Sequence, residues 1–238
     1  MENLSGKVAL ITGGSKGIGY GIAASLLQEG MRVAITSRDY NAAAKAAEKL
    51  GKEGFQEVLP LEADVRSYQA QQKSVEQVVE KWGRLDVLVA NAGVGHFASI
   101  DELSPEKWNE VIDINLTGVF YSVKASLPAL AATKGYIITI ASLAGTNFFA
   151  KGSAYNASKF GLVGLSQAMM LDLRNKDIKV TTIMPGSVTS HFNEHTPNPD
   201  DAWKIQPEDI GKMVVNLLEM HPRTLPSKIE VRPTKPGK

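Results

Sequence analysis

The stretch Thr12–Gly19, with the sequence TGGSKGIG, decides the fold of this chain. A β-rich apolar run, Lys7–Thr12, leads into it, and a helix-like segment, Ile18–Glu29, follows it. Glycines let a backbone approach phosphates closely, and a helix N-terminus supplies free N–H groups and the positive end of a dipole. The spacing is G-x-x-x-G-x-G instead of the commoner G-x-G-x-x-G, but its strand–loop–helix setting favours a dinucleotide site over an ordinary tight turn. The residues expected to contact the dinucleotide here are Gly13, Ser15, Lys16, Gly17, Ile18 and Gly19.

Strand-like and helix-like segments alternate along the rest of the chain, which predicts a parallel sheet with crossover helices. The predicted strands are Lys7–Thr12, Arg32–Ser37, Glu57–Glu62, Asp86–Ala90, Tyr136–Ile140, Lys179–Met184 and Lys228–Val231. The predicted helices are Ile18–Glu29, Asn41–Leu50, Ser67–Trp82, stretches within Pro105–Leu130, Ala154–Arg174 and Pro207–Glu219. We therefore expect an α/β fold: a single Rossmann-type doubly wound parallel β-sheet flanked by helices on both faces. All 238 residues are expected to form one domain, with residues 189–206 as a flexible insertion that serves as a short substrate lid.

Composition narrows the class of protein. Hydrophobic residues make up 43% of the chain and charged residues 21%, and the net charge of +1 argues against a nucleic-acid partner. The chain has no cysteine, so disulfides, thiolate catalysis and cysteine-ligated zinc are excluded. No signal peptide is visible, and no apolar run approaches the ~20 residues that span a membrane. We therefore expect a cytoplasmic enzyme without a membrane partner.

The end of the second predicted strand bears on the form of the dinucleotide. An acid about twenty residues beyond the glycines would bind the ribose 2′-hydroxyl of NAD, whereas an arginine there accommodates the 2′-phosphate of NADP. This position is Ser37, Arg38 follows it, and Lys16 adds a second cation. The pattern favours NADP(H) over NAD(H). The alternative is that Arg38 is a solvated residue paired with Asp39.

Tyr155 and Lys159 are the candidate chemical groups. They stand four residues apart at the start of a predicted helix, and residues with this spacing share one helix face. A phenol titrates near pKa ~10, and a nearby ammonium would lower that pKa by stabilising the phenolate. Such a tyrosine can donate a proton to a carbonyl or take one from an alcohol.

Several spaced motifs together resemble the short-chain dehydrogenase/reductase family. The resemblance covers roughly Leu4–Met220 and rests on motifs that occur in the family's order. These are the glycine-rich stretch, Asp64-Val65, Asn91-Ala92-Gly93, Asn115, Ser142, Tyr155 with Lys159, and Pro185-Gly186. The conjunction of these motifs is specific, although each one alone is weak.

The resemblance implies a role for each motif. Tyr155 would be the general acid/base, Ser142 would orient the substrate oxygen, and Lys159 would bind the nicotinamide ribose and lower the tyrosine pKa. Asn115 would fix a water that continues the proton relay. Read without the resemblance, Asn115 is a helix-interior polar residue and Ser142 a loop or cap residue. The cofactor contacts that the resemblance adds to Ser37 and Arg38 are Asp64, Val65, Asn91, Ala92, Gly93, Pro185, Gly186, Val188 and Ser190.

These features predict an NADP(H)-dependent oxidoreductase that interconverts a ketone or aldehyde and an alcohol. Two alternatives stay open: a 3-oxoacyl-carrier-protein reductase, and a non-catalytic NADP-binding regulatory protein. The stretch Ala168–Leu173 contains no arginine, which lowers the case for an acyl carrier protein as partner. The family also implies a homodimer or homotetramer that uses the two long helices after the fourth and fifth strands.

Residues near the expected substrate pocket complete the prediction. An apolar ketone or alcohol is suggested by Phe97, Phe148, Phe149, Met184 and Phe192. The segment His191–His195 matches H-x-x-E-H, a metalloprotease pattern, but it lies in the predicted lid and no third ligand is evident. We therefore expect no metal site.

Overall fold

The computed structural model describes residues 3–235, and its regular elements alternate as the sequence predicts. The strands are β1 Val8–Ile11, β2 Arg32–Ser37, β3 Val58–Glu62, β4 Val87–Ala90, β5 Tyr136–Ile140, β6 Lys179–Pro185 and β7 Lys228–Val231. The helices are α1 Gly17–Gln28, α2 Tyr40–Lys52, α3 Tyr68–Trp82, α4 Pro105–Ile112, α5 Gly118–Thr133, α6 Ser153–Leu173 and α7 Pro207–Glu219.

One parallel sheet contains all of these strands, in the order β3-β2-β1-β4-β5-β6-β7. β1 pairs with both β2 and β4, so that Ile11 lies opposite Ile35 on one side and Val89 on the other. The chain changes its direction of progress across the sheet at this point. Loops that leave β1 and β4 therefore diverge and open a crevice at the carboxyl ends of the strands. The predicted Rossmann-type doubly wound sheet is confirmed.

Apolar layers cover both faces of the sheet. In β1, Ile11 belongs to one layer and Leu10 to the other, because successive side chains of a strand point to opposite faces. α1, α2 and α7 cover the first face, and α3, α5 and α6 cover the second. Buried contacts are made by Ile22, Leu50 and Val214 on the first face and by Val78, Val123 and Leu162 on the second. The strand interiors are therefore filled by packing, and their carboxyl ends are left to carry polar groups.

The end of α2 differs from the prediction. The helix passes through Gly51 and ends at Lys52, because the N–H of Glu53 still donates to the carbonyl oxygen of Lys49. The chain reverses at Gly54, whose φ of +103° suits glycine alone. The glycine that ends α2 is therefore Gly54 and not Gly51.

A π-helical turn, Asp113–Thr117, joins α4 to α5 within the predicted helical stretch. Such a turn holds one residue more than an α-helical turn and is frequent at functional sites. Asn115 lies inside it and is fully buried. No helix in residues 3–235, this long run included, has both the length and the apolar character to cross a membrane.

The segment Thr189–Gln206 is folded, although the sequence predicts flexibility. It contains two short 3₁₀-helices, Phe192–Glu194 and Pro199–Trp203. The N–H of Thr189 donates to the carbonyl oxygen of Ile205 at 2.9 Å, which ties the two ends of the segment together. Its first 3₁₀-helix places Phe192 and Asn193 on the wall of the crevice.

Candidate functional site

A cavity of about 920 Å³ opens at the crevice beside β1 and β4. This volume lies within the range of small-molecule and cofactor pockets. Every residue predicted for the site lines the cavity, except Gly19 and Asn115, which are buried. The residues brought together are Gly13, Ser15, Lys16, Gly17, Ile18, Ser37, Arg38, Asp64, Val65, Asn91, Ala92, Gly93, Ser142, Tyr155, Lys159, Pro185, Gly186, Val188 and Ser190.

The glycine-rich loop leaves the start of α1 open to the cavity. A Cβ at Gly13 would come within 2.9 Å of the Cα of Ala92, so a side chain cannot replace this glycine without displacing the next loop. No side chain caps α1, and its first turn contains no acidic residue. The free N–H groups and the dipole of α1 therefore remain available to an anion such as a pyrophosphate.

Asn91 links the loop after β4 to this glycine-rich loop. Its side-chain amide donates to the carbonyl oxygens of Thr12 at 2.9 Å and Gly13 at 3.1 Å. In return, the hydroxyl of Thr12 accepts from the N–H groups of Asn91 and Ala92. The two sides of the crevice are thus fixed to each other, which gives a dinucleotide a preformed cradle.

The end of β2 presents Arg38 to the cavity. Asp39 does not pair with it, because the Asp39 carboxylate caps α2 by accepting from the N–H of Asn41 at 2.9 Å. Asp64 is held by Arg66, whose hydrogen bond lowers the pKa of the Asp64 carboxyl. Among the ion pairs of the described residues, none includes Arg38. The pairing with Asp39 in the predicted alternative is therefore wrong, whereas its other half is confirmed, because Arg38 is exposed to solvent where it borders the cavity.

Ser142, Tyr155 and Lys159 meet where β5 ends and α6 begins. Ser142 follows β5 directly, and its hydroxyl caps the next turn by accepting from the N–H of Ala144 at 3.1 Å. Ser142 also lies close enough to Tyr155 that its side chain acts to lower the pKa of the phenol. Nζ of Lys159 donates to the carbonyl oxygen of Ile140 at 3.0 Å and lies 5.7 Å from the centre of the Tyr155 ring. The three side chains form one polar cluster on the cavity wall.

Titration at this cluster differs from the expectation. Burial raises the pKa of the Tyr155 phenol, and the hydrogen bond with Ser142 opposes that rise. Burial also lowers the pKa of Lys159 to about 8, because the charged ammonium is desolvated. The predicted lowering of the tyrosine pKa by Lys159 is therefore wrong, because burial has the largest effect on the phenol and the lysine ammonium donates to the Ile140 carbonyl oxygen.

Asn115 acts behind the cavity wall. Its side-chain oxygen accepts from the N–H of Val94 at 2.8 Å, and its amide donates to the Val94 carbonyl at 2.9 Å and to the Ser158 hydroxyl at 3.0 Å. Ser158 in turn donates to the carbonyl oxygen of Tyr155 at 2.8 Å. The side chain thus connects the loop after β4 to the first turn of α6. The water relay through Asn115 stays a prediction.

The start of the lid closes one side of the cavity. The N–H of Gly186 donates to the carbonyl oxygen of Val231 at 2.8 Å, which fixes the chain where it leaves β6. A Cβ at Gly17 would come within 3.3 Å of Ser190, so the lid passes directly by the glycine-rich loop. Pro185, Gly186 and Ser190 therefore border the space beside α1.

Two clusters of ionisable side chains at the cavity are not predicted from the sequence. His96 and Glu110 form a pair at 2.8 Å, and Asp201 binds both His195 and Lys204. Asp201 is only 5% exposed, and the hydrogen bonds from His195 and Lys204 lower its pKa to about 2. No sequence motif marks these side chains as partners, because their contacts depend on how the loops fold.

The predicted apolar pocket is only partly correct. Among the five apolar residues predicted for the pocket, Phe192 lines the cavity and Phe97, Phe148, Phe149 and Met184 do not. Met184 is fully buried in the core, and Phe148 is 83% exposed and stacks on Phe160. Phe97 and Phe192 do pack against Tyr155. In the H-x-x-E-H segment, His195 contacts Asp201, and the described part of the chain contains no group of three His, Cys, Asp or Glu that could hold a metal.

Comparison with known proteins gives the family directly. The family model described as short chain dehydrogenase matches residues 7–200. An uncharacterized oxidoreductase of Staphylococcus saprophyticus is 32% identical over 238 residues, which cover 98% of this chain and all of that protein. The trans-4-hydroxycyclohexanecarboxylate dehydrogenase of Sinomonas cyclohexanicum is 36% identical over 192 residues, 79% of this chain and 74% of that protein.

Solved structures share the fold over nearly the whole chain. A metagenomic short-chain oxidoreductase in complex with NADP has a TM-score of 0.85 at 35% identity, covering 99% of this chain and all of that one. An alcohol dehydrogenase of Thermococcus sibiricus, complexed with 5-hydroxy-NADP, has a TM-score of 0.89 at 31% identity and 96% and 97% coverage. A 3-ketoacyl-(acyl-carrier-protein) reductase of Brucella melitensis, complexed with NADH, has a TM-score of 0.88 at 25% identity and 97% and 98% coverage. The chain belongs to the short-chain dehydrogenase family of oxidoreductases.

Proposed function

We propose that this chain is an NADP(H)-dependent oxidoreductase that interconverts a ketone or aldehyde and the corresponding alcohol, with Tyr155 as general acid/base. The observation that carries the proposal is the convergence of Ser142, Tyr155 and Lys159 on one cavity wall, with the Lys159 ammonium 5.7 Å from the centre of the Tyr155 ring. The neighbouring glycine-rich loop and the open start of α1 fit a dinucleotide. A module that only binds nucleotide has no need of Ser142 and Tyr155.

The roles of the side chains follow from their positions. Bound NADPH would supply a hydride, with its electron pair, to the carbonyl carbon. Tyr155 would transfer its hydroxyl proton to the carbonyl oxygen, so the alcohol gains one C–H and one O–H bond. Ser142 would donate a hydrogen bond to the same oxygen and hold it near the phenol. The raised pKa of Tyr155 keeps the phenol protonated at neutral pH, which is the form that reduction requires.

Lys159 and Asn115 would position this chemistry. Lys159 is buried beside Tyr155 and would donate to the hydroxyls of the nicotinamide ribose. A Cβ at Gly93 would come within 3.7 Å of the Lys159 ammonium, so the missing side chain leaves room there for a ribose. Asn115, through Ser158, would keep the first turn of α6 in place.

NADP(H) is proposed over NAD(H) because Arg38 and Lys16 are cations on the wall beside the expected adenosine ribose. Two carboxylates on the same wall, Asp39 and Asp64, are engaged by other groups. Solved relatives have been found with NADP and with NADH, so the choice of nucleotide has to come from this chain's own residues.

We also propose that residues 189–206 act as a lid over the substrate. Phe192, His195 and Lys204 of this segment line the cavity. The contacts of Asp201 with His195 and Lys204 hold the segment in its folded form.

Tyr155→Phe tests the function. We expect the variant to bind NADPH like the unchanged protein, because only the hydroxyl is lost, and to lose at least about 100-fold in kcat because the proton donor is missing. Binding is measured by NADPH fluorescence, and kcat by NADPH oxidation with a panel of ketones and aldehydes. Tyr121→Phe, a tyrosine outside the cavity, is the matched control. Full turnover by Tyr155→Phe contradicts the proposed role.

A 3-oxoacyl thioester reductase is the second candidate, and the likeness to the Brucella melitensis enzyme favours it. The same panel separates the two if it includes a 3-oxoacyl thioester. The relative from Sinomonas cyclohexanicum is named for a secondary alcohol on a ring, which supports free ketones as the first substrates to try.

A further inference from the structure

Two phenylalanine rings pack against Tyr155 at the cavity, and a third packs against one of these two. Phe97, from the loop after β4, has its ring centre 5.5 Å from that of Tyr155, and Phe192, from the lid, has its centre at 5.4 Å. Phe149 continues the row at 5.7 Å from Phe97. We call Phe97, Phe149 and Phe192 the aromatic cluster. It extends from the cavity wall, which includes Phe192, to rings that are 38% and 46% exposed in Phe97 and Phe149.

Glycines make room for the aromatic cluster. A Cβ at Gly95 would come within 2.5 Å of the Phe192 ring and 3.0 Å of the Phe97 ring. A Cβ at Gly152 would come within 2.6 Å of the Phe149 ring. The two loops that carry these glycines are joined by the hydrogen bond from the N–H of Ala98 to the carbonyl oxygen of Lys151 at 3.0 Å. Backbone contacts therefore set the positions of the rings.

The charges around the aromatic cluster select against a cationic ligand. Three acidic residues line the cavity among the described side chains, and each already has a partner: Asp39 caps α2, Asp64 binds Arg66, and Glu110 binds His96. Lys159 and Lys204 also lie on the wall. An ammonium group beside the rings would find no unpaired carboxylate among these side chains, whereas a neutral aromatic ring would meet the faces and edges of the aromatic cluster.

We propose that the aromatic cluster is a subsite for the aromatic ring of a neutral aryl-substituted ketone whose carbonyl oxygen faces Tyr155 and Ser142. Ring edges and faces are presented at tilted and perpendicular angles of 55–72° around Tyr155, and such arrangements favour a further aromatic ring over a saturated one. The subsite rests on the proposed reductase function. The reaction is the same: the hydride reduces the carbonyl carbon, the Tyr155 proton goes to oxygen, and NADPH is oxidised.

The test compares ketones with the same reacting group. 4-Phenyl-2-butanone and 4-cyclohexyl-2-butanone differ only in whether the ring is aromatic, and 4-(trimethylammonio)-2-butanone carries a cation in place of the ring. We expect kcat/KM for the phenyl ketone to exceed that for the cyclohexyl ketone by about fivefold or more, and the cationic ketone to be the poorest substrate. Calorimetric titration of the same ketones into the NADP⁺ complex measures binding without turnover.

Variants assign the preference to the rings. Phe97→Leu with Phe192→Leu is expected to bring the phenyl-to-cyclohexyl ratio to within about twofold of unity while NADPH affinity is kept. Phe148→Leu is the matched control, since this exposed ring stacks on Phe160 and does not contact Tyr155, and it is expected to keep the full ratio.

The outcomes separate the subsite from the function on which it rests. Equal turnover and equal binding of the phenyl and cyclohexyl ketones overturn the subsite and leave the reductase in place. A phenyl preference that survives in the Phe97→Leu, Phe192→Leu variant, or a preference for the cationic ketone, also overturns it. Preferential binding of the phenyl ketone without any NADPH oxidation supports the subsite and overturns the proposed function.

Discussion

At the scale of single residues, the proposed preference for NADP(H) rests on the surroundings of Arg38. A guanidinium can bind a phosphate through two parallel hydrogen bonds, provided that no carboxylate already holds it. Asp39, the next residue, is committed to capping α2. Arg38 forms no ion pair among the described residues, although its charge helps to lower the pKa of the Asp64 carboxyl, and its contribution to nucleotide binding can be measured with one substitution.

We expect Arg38→Ala to raise the Kd of NADPH by about tenfold or more, because charge-assisted hydrogen bonds contribute roughly 1.5–3 kcal/mol each. The Kd of NADH, which lacks the 2′-phosphate, is expected to stay nearly unchanged. Fluorescence titration with both nucleotides measures this. Arg174→Ala, an exposed arginine that does not line the cavity, is the control. Equal losses of affinity for NADPH and NADH would show that Arg38 does not read the phosphate.

At the scale of elements, the sequence predicts regular structure better than tertiary contacts. The bounds of α7 and β7 agree with the prediction, since Pro207 and the Gln206–Asp209 capping box mark the start of the helix. The π-helical turn around Asn115 cannot be recognised in the sequence, because one added residue hardly alters an apolar pattern that is already continuous. The pairing of His96 with Glu110 depends on how α4 packs against a loop, which no local pattern contains.

The lid offers a test at this scale. We expect Asp201→Asn to loosen residues 189–206, because His195 and Lys204 lose the carboxylate that joins them. Hydrogen exchange in this segment should become several-fold faster, and KM should rise more than kcat falls. Asp200→Asn changes the exposed neighbour in the same 3₁₀-helix and serves as the control. Unchanged exchange in Asp201→Asn would mean that other contacts hold the segment.

At the scale of the whole molecule, the site costs stability. The sheet is buried on both faces, and Lys159 places an ammonium at its carboxyl edge with 4% exposure. Burial lowers the pKa of Lys159 to about 8 from the ordinary 10.5. At a pH between these two pKa values, Lys159 is protonated in the unfolded chain and largely deprotonated in the folded one. Stability contributed by Lys159 therefore rises with pH across this window.

We expect the unfolding free energy of the unchanged protein, relative to Lys159→Met, to rise by about 2–3 kcal/mol from pH near 7 to pH near 10. Groups that titrate in both proteins contribute equally to the two free energies of unfolding, so their contributions cancel in the difference. Urea unfolding of nucleotide-free protein at several pH values measures it, and Lys45→Met, an exposed lysine of α2, is the control with no such trend. A difference that stays constant with pH would mean that Lys159 is not desolvated in the folded chain.

The π-helical turn Asp113–Thr117 sets a rule for insertions and deletions. Each residue of an α-helix turns the chain by about 100°, so deleting Leu116 or Thr117 would restore a regular helix and swing Asn115 by that angle relative to α5. The amide would then lose Val94 and Ser158 together, although no site residue had been substituted. Side chains on the outside of this turn can vary, while the number of its residues cannot. An enzyme with this site therefore tolerates substitutions here but not insertions or deletions.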